Sequence, residues 1–177
     1  MSVYRSIITL LEASGAEYER ITHEAVRGCE DSRAHRMNAG WTGASSKCIL
    51  FHAKGNFHLV VTTADEKING RKFKKQFGTK NIRFASPDEV GRHTGCEIGS
   101  MPPFAVSDPD LPIYVDARIL DFDHFMFNPA RPDESLRLKT SELPRIYERS
   151  PNPVKWFHPA EDGKLEFSGA PEFNENS

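Results

Sequence analysis

The sequence predicts one α/β (α+β) domain in which a mixed, curved central β-sheet is flanked by helices. Three observations lead there. Helical and extended patterns alternate irregularly along the chain, with one clear hairpin and no long βαβ series. The 177 residues suffice for a core that needs no disulfide or metal support. Hydrophobic residues at 38% and charged residues at 27% sit near the globular average, which indicates neither wholesale disorder nor a fibrous class.

Taken in order, Val3, Ile7, Leu10 and Leu11 recur at helical spacing, and Ser14-Gly15 supplies a left-handed stop. A short extended piece follows at Tyr18 to Thr22. RGCEDSRAHRMNAG is then polar, helix-compatible and only weakly periodic. KCILFHAKGNFHLVVTT holds two apolar runs around Lys54-Gly55-Asn56 and reads as a hairpin with strands buried on both faces. Asn69 can cap a helix through Phe77, with Phe73 and Phe77 one turn apart and Gly78 as its stop.

IRFAS is a short strand. Ser86, Pro87 and Glu89 combine an N-cap, a proline at the first helical position and a capping-box acid, so a helix should run from there to Gly95. GCEIGSMPPF cannot be regular structure, because adjacent prolines remove donors and its glycines admit unusual backbone angles. LPIYVDA, DHFMFN and SLRLKT read as strands. Ser141 can cap a last short helix that tolerates Pro144 in its first turn. From Pro151 the chain is proline-rich and then acidic, so the domain is expected over 1–150 and an acidic C-terminal tail over 151–177.

A formal net charge of −2 carries no global polyanion signature, so any nucleic-acid contact must be local. Cys29, Cys48 and Cys96 form neither an even disulfide framework nor a CxxC pair, which points to a reducing, cytoplasmic setting. The N-terminal apolar stretch is broken at helical spacing, unlike a signal-peptide core. No segment has the apolar length of a membrane span.

Two segments could carry chemistry. Lys47 opens a strand that must be buried; it is either a lysine snorkelling at a strand end or an ammonium able to hold a phosphate or polarise an ester carbonyl. GCEIGSMPPF is either a stiff connector or a shaped loop that aims backbone N–H groups at a developing oxyanion. Cys48 beside Lys47 would be a thiol nucleophile of another enzyme class, but alternation sends it toward the core if Lys47 faces the pocket. His52 and His58 lie on the two hairpin arms without a third metal ligand at a recognised spacing. Between Asp65 and Arg83 there are seven basic residues against two acidic ones. Phe73 and Phe77 would anchor that segment and leave Lys72, Lys74 and Lys75 outward, as a solvated face or as phosphate contacts.

The order of Lys47 opening the hairpin, ADEKINGRKFKKQFG, SPDEVGRHTGCEIGSMPPF and IYVDARILDFDHFMFNPARPDESLRL resembles the YbaK and prolyl-tRNA synthetase insertion-domain superfamily, to which the ProX-like proteins belong. The likeness spans roughly residues 1 to 149. It implies a single-domain trans-editing aminoacyl-tRNA deacylase that hydrolyses the ester of mischarged tRNA. The family's usual substrates carry small amino acids such as alanine, serine or threonine, with proline tRNA as one carrier. The resemblance places Lys47 as the catalytic lysine and Gly99, Ser100 and Met101 in the loop that meets the aminoacyl group. It sets Pro102 and Asn128 at the substrate, with Lys72, Lys74 and Lys75 toward tRNA. It implies no metal, no cofactor, and mischarged tRNA as partner, with an aminoacyl-tRNA synthetase as a further one; membrane and DNA are not expected. Relatives commonly carry glycine where this chain has Ala105, and Asn-Ala-Gly where it has Asn128-Pro129-Ala130, changes expected to touch the pocket lining. A non-catalytic tRNA- or synthetase-binding module of the same fold is the alternative.

Overall fold

The protein is described by a computed structural model over residues 2–171. Helix α1 (Val3–Ala13) begins where the Ser2 side chain accepts from the Arg5 amide, and it buries Ile7, Leu10 and Leu11. Strand β1 (Tyr18–Thr22) and helix α2 (Cys29–Asn38) follow. The central hairpin is β2 (Ala44–Ala53) and β3 (Asn56–Thr63). Its two-residue turn has Lys54 at φ 51° and Gly55 at φ 86°, the positive pair that matches the twist of the flanking strands.

Beyond the hairpin the expected helix from Asn69 is shorter than its pattern suggested. It is a 3₁₀ turn, Gly70–Phe73, followed by one α-turn, α3 (Lys74–Phe77), which closes at Gly78 with φ 74°. The Asn69 side chain does cap it, accepting from Arg71 N. After β4 (Ile82–Phe84), helix α4 (Pro87–Thr94) carries the full capping box between Ser86 and Glu89 and ends at Gly95 with φ 75°. β5 (Ile113–Asp116), β6 (His124–Phe127) and β7 (Glu134–Lys139) come next. Helix α5 (Leu143–Arg149) holds Pro144 in its first turn. Ser141 is not its cap: a 3₁₀ turn, Thr140–Glu142, leads into the helix, and no side chain caps it.

The expected tail contains structure. Residues 154–159 form β8 (Val154–Pro159), which pairs in parallel with β5, and β9 (Leu165–Ser168) folds back on it. Trp156 and Phe157 are 1% and 0% exposed. Burial of two such rings is worth roughly 2–3 kcal/mol each, enough to hold a short segment in place despite its prolines.

The strands make one sheet in the order β1-β7-β6-β2-β3-β5-β8-β9, with β4 also paired to β2. Three pairings are parallel (β2·β6, β3·β5, β5·β8) and the rest antiparallel, so the sheet is mixed. Strand alternation splits its side chains between two cores. One contains Leu50, Leu59, Val61, Ile113, Val115 and Trp156 beneath α1 and α5. The other is smaller and aromatic: Phe51, Val60, Tyr114 and Phe157 packed under Phe73 and Phe77.

Candidate active site

β3 borders β2 along nearly its whole length, but the opposite side of β2 is covered only at its ends. It pairs with β6 at Ala44 and Ser45 and with β4 from Phe51 to Ala53. The strand edge over residues 46–49 is left open, the Leu50 carbonyl being taken by the Ala85 N–H, and a cleft of about 430 Å³ lies there. An open edge exposes side chains of both faces at once. That is why Lys47 and Cys48, which alternation sends to opposite faces, both line the cleft.

Lys47 shares its face with Thr62, its register partner on β3. Its Nζ donates to the Glu66 carbonyl at 2.8 Å. An ammonium has three donors, so this anchor fixes its direction and leaves capacity for a ligand. The anchor is itself held: the Glu66 carboxylate accepts from Arg118 Nη1 at 2.8 Å. Arg118 also donates to the fully buried Asp116 through Nε and Nη2, at 3.0 and 2.8 Å. The Thr62 hydroxyl donates to the same carboxylate at 2.7 Å. Hydrogen bonding to Asp116 holds the Arg118 guanidinium above its ordinary pKa.

The facing wall is the loop 95–104, which packing holds in place. Phe104 is fully buried, edge-on to Phe127 and Tyr147, and the Tyr147 hydroxyl donates to the Pro103 carbonyl at 2.7 Å. Burial, with Cys48 nearby, pushes that hydroxyl well above the usual tyrosine range, so it remains a donor. Gly99 has φ 96°, and a Cβ there would meet the Arg27 carbonyl at 2.8 Å. Only glycine fits. The Ser100 N–H, expected to point at an oxyanion, instead donates to the Glu97 carbonyl at 3.1 Å within the loop. Among the described residues the amides of Gly99 and Met101 have no such partner, and both residues reach the cavity below.

That cavity, about 40 Å³, opens beside the cleft and shares Cys48 and Met101 with it. Its polar lining comes from Ser32, Arg36, Ser46 and Asn128. Ser32 and Arg36 lie one turn apart on α2 and meet at Asn128 Oδ1, which accepts from Ser32 Oγ at 3.1 Å and Arg36 Nη2 at 3.2 Å. Asn128 Nδ2 donates to the Glu134 carbonyl at 2.8 Å, which fixes the amide's orientation. Arg36, 1% exposed, also donates to Ser45 and Ser135. The volume holds roughly three or four water-sized spheres, room for a side chain of two or three heavy atoms.

A family model described as the aminoacyl-tRNA editing domain matches residues 23–146. The chain belongs to that family. A curated relative, the "Multifunctional Ser/Thr-tRNA deacylase ProXp-y" of Escherichia coli K12, is 33% identical over 148 residues, 81% of this chain and 87% of its own. A proline–tRNA ligase of Staphylococcus saprophyticus is 33% identical over 81 residues, 46% of this chain and 14% of the ligase. Among solved structures, a candidate trans-editing enzyme for prolyl-tRNA synthetase superposes with a TM-score of 0.69 at 22% identity, over 87% of this chain and 95% of that one. At that identity the likeness speaks for the fold.

For this editing-domain protein the structure brings Lys47, Gly99, Met101 and Asn128 to one cleft and its side cavity. Ser100 and Pro102 are buried and line neither. Lys72, Lys74 and Lys75 line a separate groove. Cys48 packs against the main core as expected, but only half-buried, and it also lines the pocket wall. His52 and His58 cannot share a ligand: the register pairs His52 with Phe57 and Phe51 with His58, which places them on opposite faces. Among the described residues no three His, Cys, Asp or Glu side chains converge to hold a metal, and no helix is long and apolar enough to cross a membrane. Ala105 and Ala130, expected to line the pocket, stand at φ 59° and 62°, where glycine is unstrained, so both departures load the backbone rather than reshape the cavity. Sequence reading missed Arg118, Asp116, Tyr147, Ser32 and Arg36. Arg118 and Asp116 stand two apart in an Asp-x-Arg sequence, the one local signal among them.

Proposed function

We propose that this protein is a trans-editing aminoacyl-tRNA deacylase that removes a small, hydroxyl-bearing amino acid, serine or threonine, from mischarged tRNA. The observation that carries the reading is the open edge of β2, where a lysine ammonium and a loop with two available amides flank a small polar cavity. The ester lies in the cleft and the amino-acid side chain enters the cavity, where Asn128 and Ser32 meet its hydroxyl. A water attacks the ester carbonyl and the N–H groups of Gly99 and Met101 hold the oxyanion; as the intermediate collapses, the bond to the ribose oxygen breaks and that oxygen takes up the proton the water gives away, releasing the free amino acid. Lys47 positions the RNA end and balances the developing charge. Pro102 stiffens the loop from behind, and Ser100 shapes it through Glu97.

The relative named for seryl and threonyl deacylation supports this choice among small amino acids. The match to a segment of proline–tRNA ligase supports a synthetase as further partner. The test is hydrolysis of a panel of mischarged tRNAs. Seryl- or threonyl-tRNA should be cleaved by the wild type and at least 10²-fold more slowly by Lys47→Ala, the scale on which one electrostatic group contributes. Near wild-type turnover by a folded Lys47→Ala protein would sink the reading and favour a binding module.

A further inference from the structure

The β8–β9 hairpin lies beyond the family match at 23–146, yet it builds a surface with the basic segment. The turn of that hairpin stands against the 70–77 segment, where Lys72 Nζ donates to the Gly163 carbonyl at 3.0 Å. Between them runs a groove of about 730 Å³. Arg71, Lys72, Lys74, Lys75 and Lys164 line it, all exposed, against one carboxylate, Asp162. Its floor is apolar, made by Leu165 and Phe167, which are half-buried over the aromatic core. On a chain of net charge −2, five cations to one anion is a local concentration.

The groove is separate from the cleft, but the same chain segment borders both. Lys67 and Ile68 line the cleft, and three residues later Arg71 begins the groove. Lys47, on one side of the cleft, shares a sheet face with the groove: Lys47 and Phe51 point the same way from β2, and Phe51, Tyr114, Phe157 and Phe167 lie around Phe73. β9 stands four strands from β2, on the order of 19 Å, the span of a few nucleotides rather than one.

We propose that the groove between residues 71–76 and the β8–β9 hairpin binds the RNA strand that leads to the esterified end, phosphates on the lysines and a base on the Leu165–Phe167 floor. This rests on the deacylase reading for its direction, but its binding chemistry stands alone. Cationic walls alone would suit any polyanion. The apolar floor favours a nucleic acid strand, whose bases bring planar apolar faces along with the phosphates.

The experiment measures binding of fluorescein-labelled, unacylated tRNA to the full chain across a salt series. Beside the wild type it uses Lys75→Glu/Lys164→Glu and a charge-matched control, Arg5→Glu/Lys139→Glu, on other surfaces. The groove variant should bind at least 10-fold more weakly at 100 mM salt. Its slope of log K against log salt should shrink by about 1 to 2, for two lost phosphate contacts. Cleavage of a seryl-adenosine ester should stay within about two-fold of wild type in both variants, since that probe lacks the strand. Equal weakening by the control variant, or an unchanged salt slope, would overturn the proposal. So would a polyglutamate peptide binding as tightly as tRNA at the same salt, which would make the partner an acidic protein. Absence of ester cleavage by the wild type would strike the deacylase reading and leave the binding comparison intact.

Discussion

The two faces of the central sheet hold the two walls of the same cleft by different physics. On the Lys47 face the wall is a polar chain: Lys47 on the Glu66 carbonyl, Glu66 on Arg118, Arg118 on Asp116, Asp116 on Thr62. On the other face the wall is a loop nailed by Phe104 into the main core and by one hydroxyl, Tyr147 on Pro103. Charge placement tolerates little change in the charges and some change in packing. A packed loop behaves the other way round. The division lets a strand aim a cation while a loop aims amides, each without constraining the other.

Among the residues that hold the two walls, the largest effect should come from breaking the polar chain at Arg118. Arg118→Ala leaves Asp116, 0% exposed, with the Thr62 hydroxyl but without its guanidinium, at a cost of about 3 kcal/mol. It also frees the Glu66 segment that aims Lys47, so turnover of seryl- or threonyl-tRNA should fall at least 10-fold. Adding Asp116→Asn removes the stranded charge and should recover much of the stability but little of the turnover. Parallel recovery of both would mean that the chain supports folding alone and does not position Lys47.

The same face should also carry the acid sensitivity of the fold. His58 is 8% exposed, stacked on Phe77 at 3.9 Å, with Tyr114 OH at 3.3 Å from Nδ1 and, among the described residues, no partner for Nε2. Burial pushes it down to about 4. A histidine with a folded pKa below its unfolded value of about 6.5 binds fewer protons when folded, so its contribution to stability is fully present above 6.5. Stability should fall as the pH drops from about 6.5 to about 4, by roughly 3 kcal/mol in total. His58→Phe keeps the ring stack and should flatten that stretch of a urea-denaturation profile. An unchanged slope would locate the acid sensitivity elsewhere.

Legibility in the sequence followed the same division between local and distant causes. The Ser86–Glu89 capping box and the Gly95 stop are written within a few residues and lie where their chemistry demands. Lys47, expected to open its strand, lies inside β2 because the strand begins at Ala44, but the hairpin and the irregular loop were equally local. β8 was not: Val154 to Pro159 offers only three apolar side chains, and its place depends on pairing with β5, whose register joins Ile113 to Val154. Nothing near Pro151 encodes that partner. Alternation gave the direction of Cys48, which packs against the main core, but not its partial exposure to the cleft, because β2 has a gap between β6 and β4. The side cavity was illegible for a similar reason, since α2, β2, β6 and the loop meet there only once the sheet has formed.

The smallest of these effects tests the packed wall. Tyr147→Phe removes one hydroxyl and keeps the ring against Phe104 and Trp156, so the core should stay closed. The Pro103 carbonyl loses its 2.7 Å donor, a change worth about 1–2 kcal/mol and, for a domain of this size, roughly 2–8 °C in Tm. Pro103 is two residues from Met101, whose amide is assigned to the oxyanion, so loosening the loop should blur that donor's aim. An interaction made chiefly in the transition state appears in kcat, which should fall several-fold while KM changes little. If Tm drops as expected and kcat does not move, the hydroxyl serves stability only. Packing of Phe104 rather than the hydroxyl would then aim the amides, and the two walls would differ in strength rather than in kind.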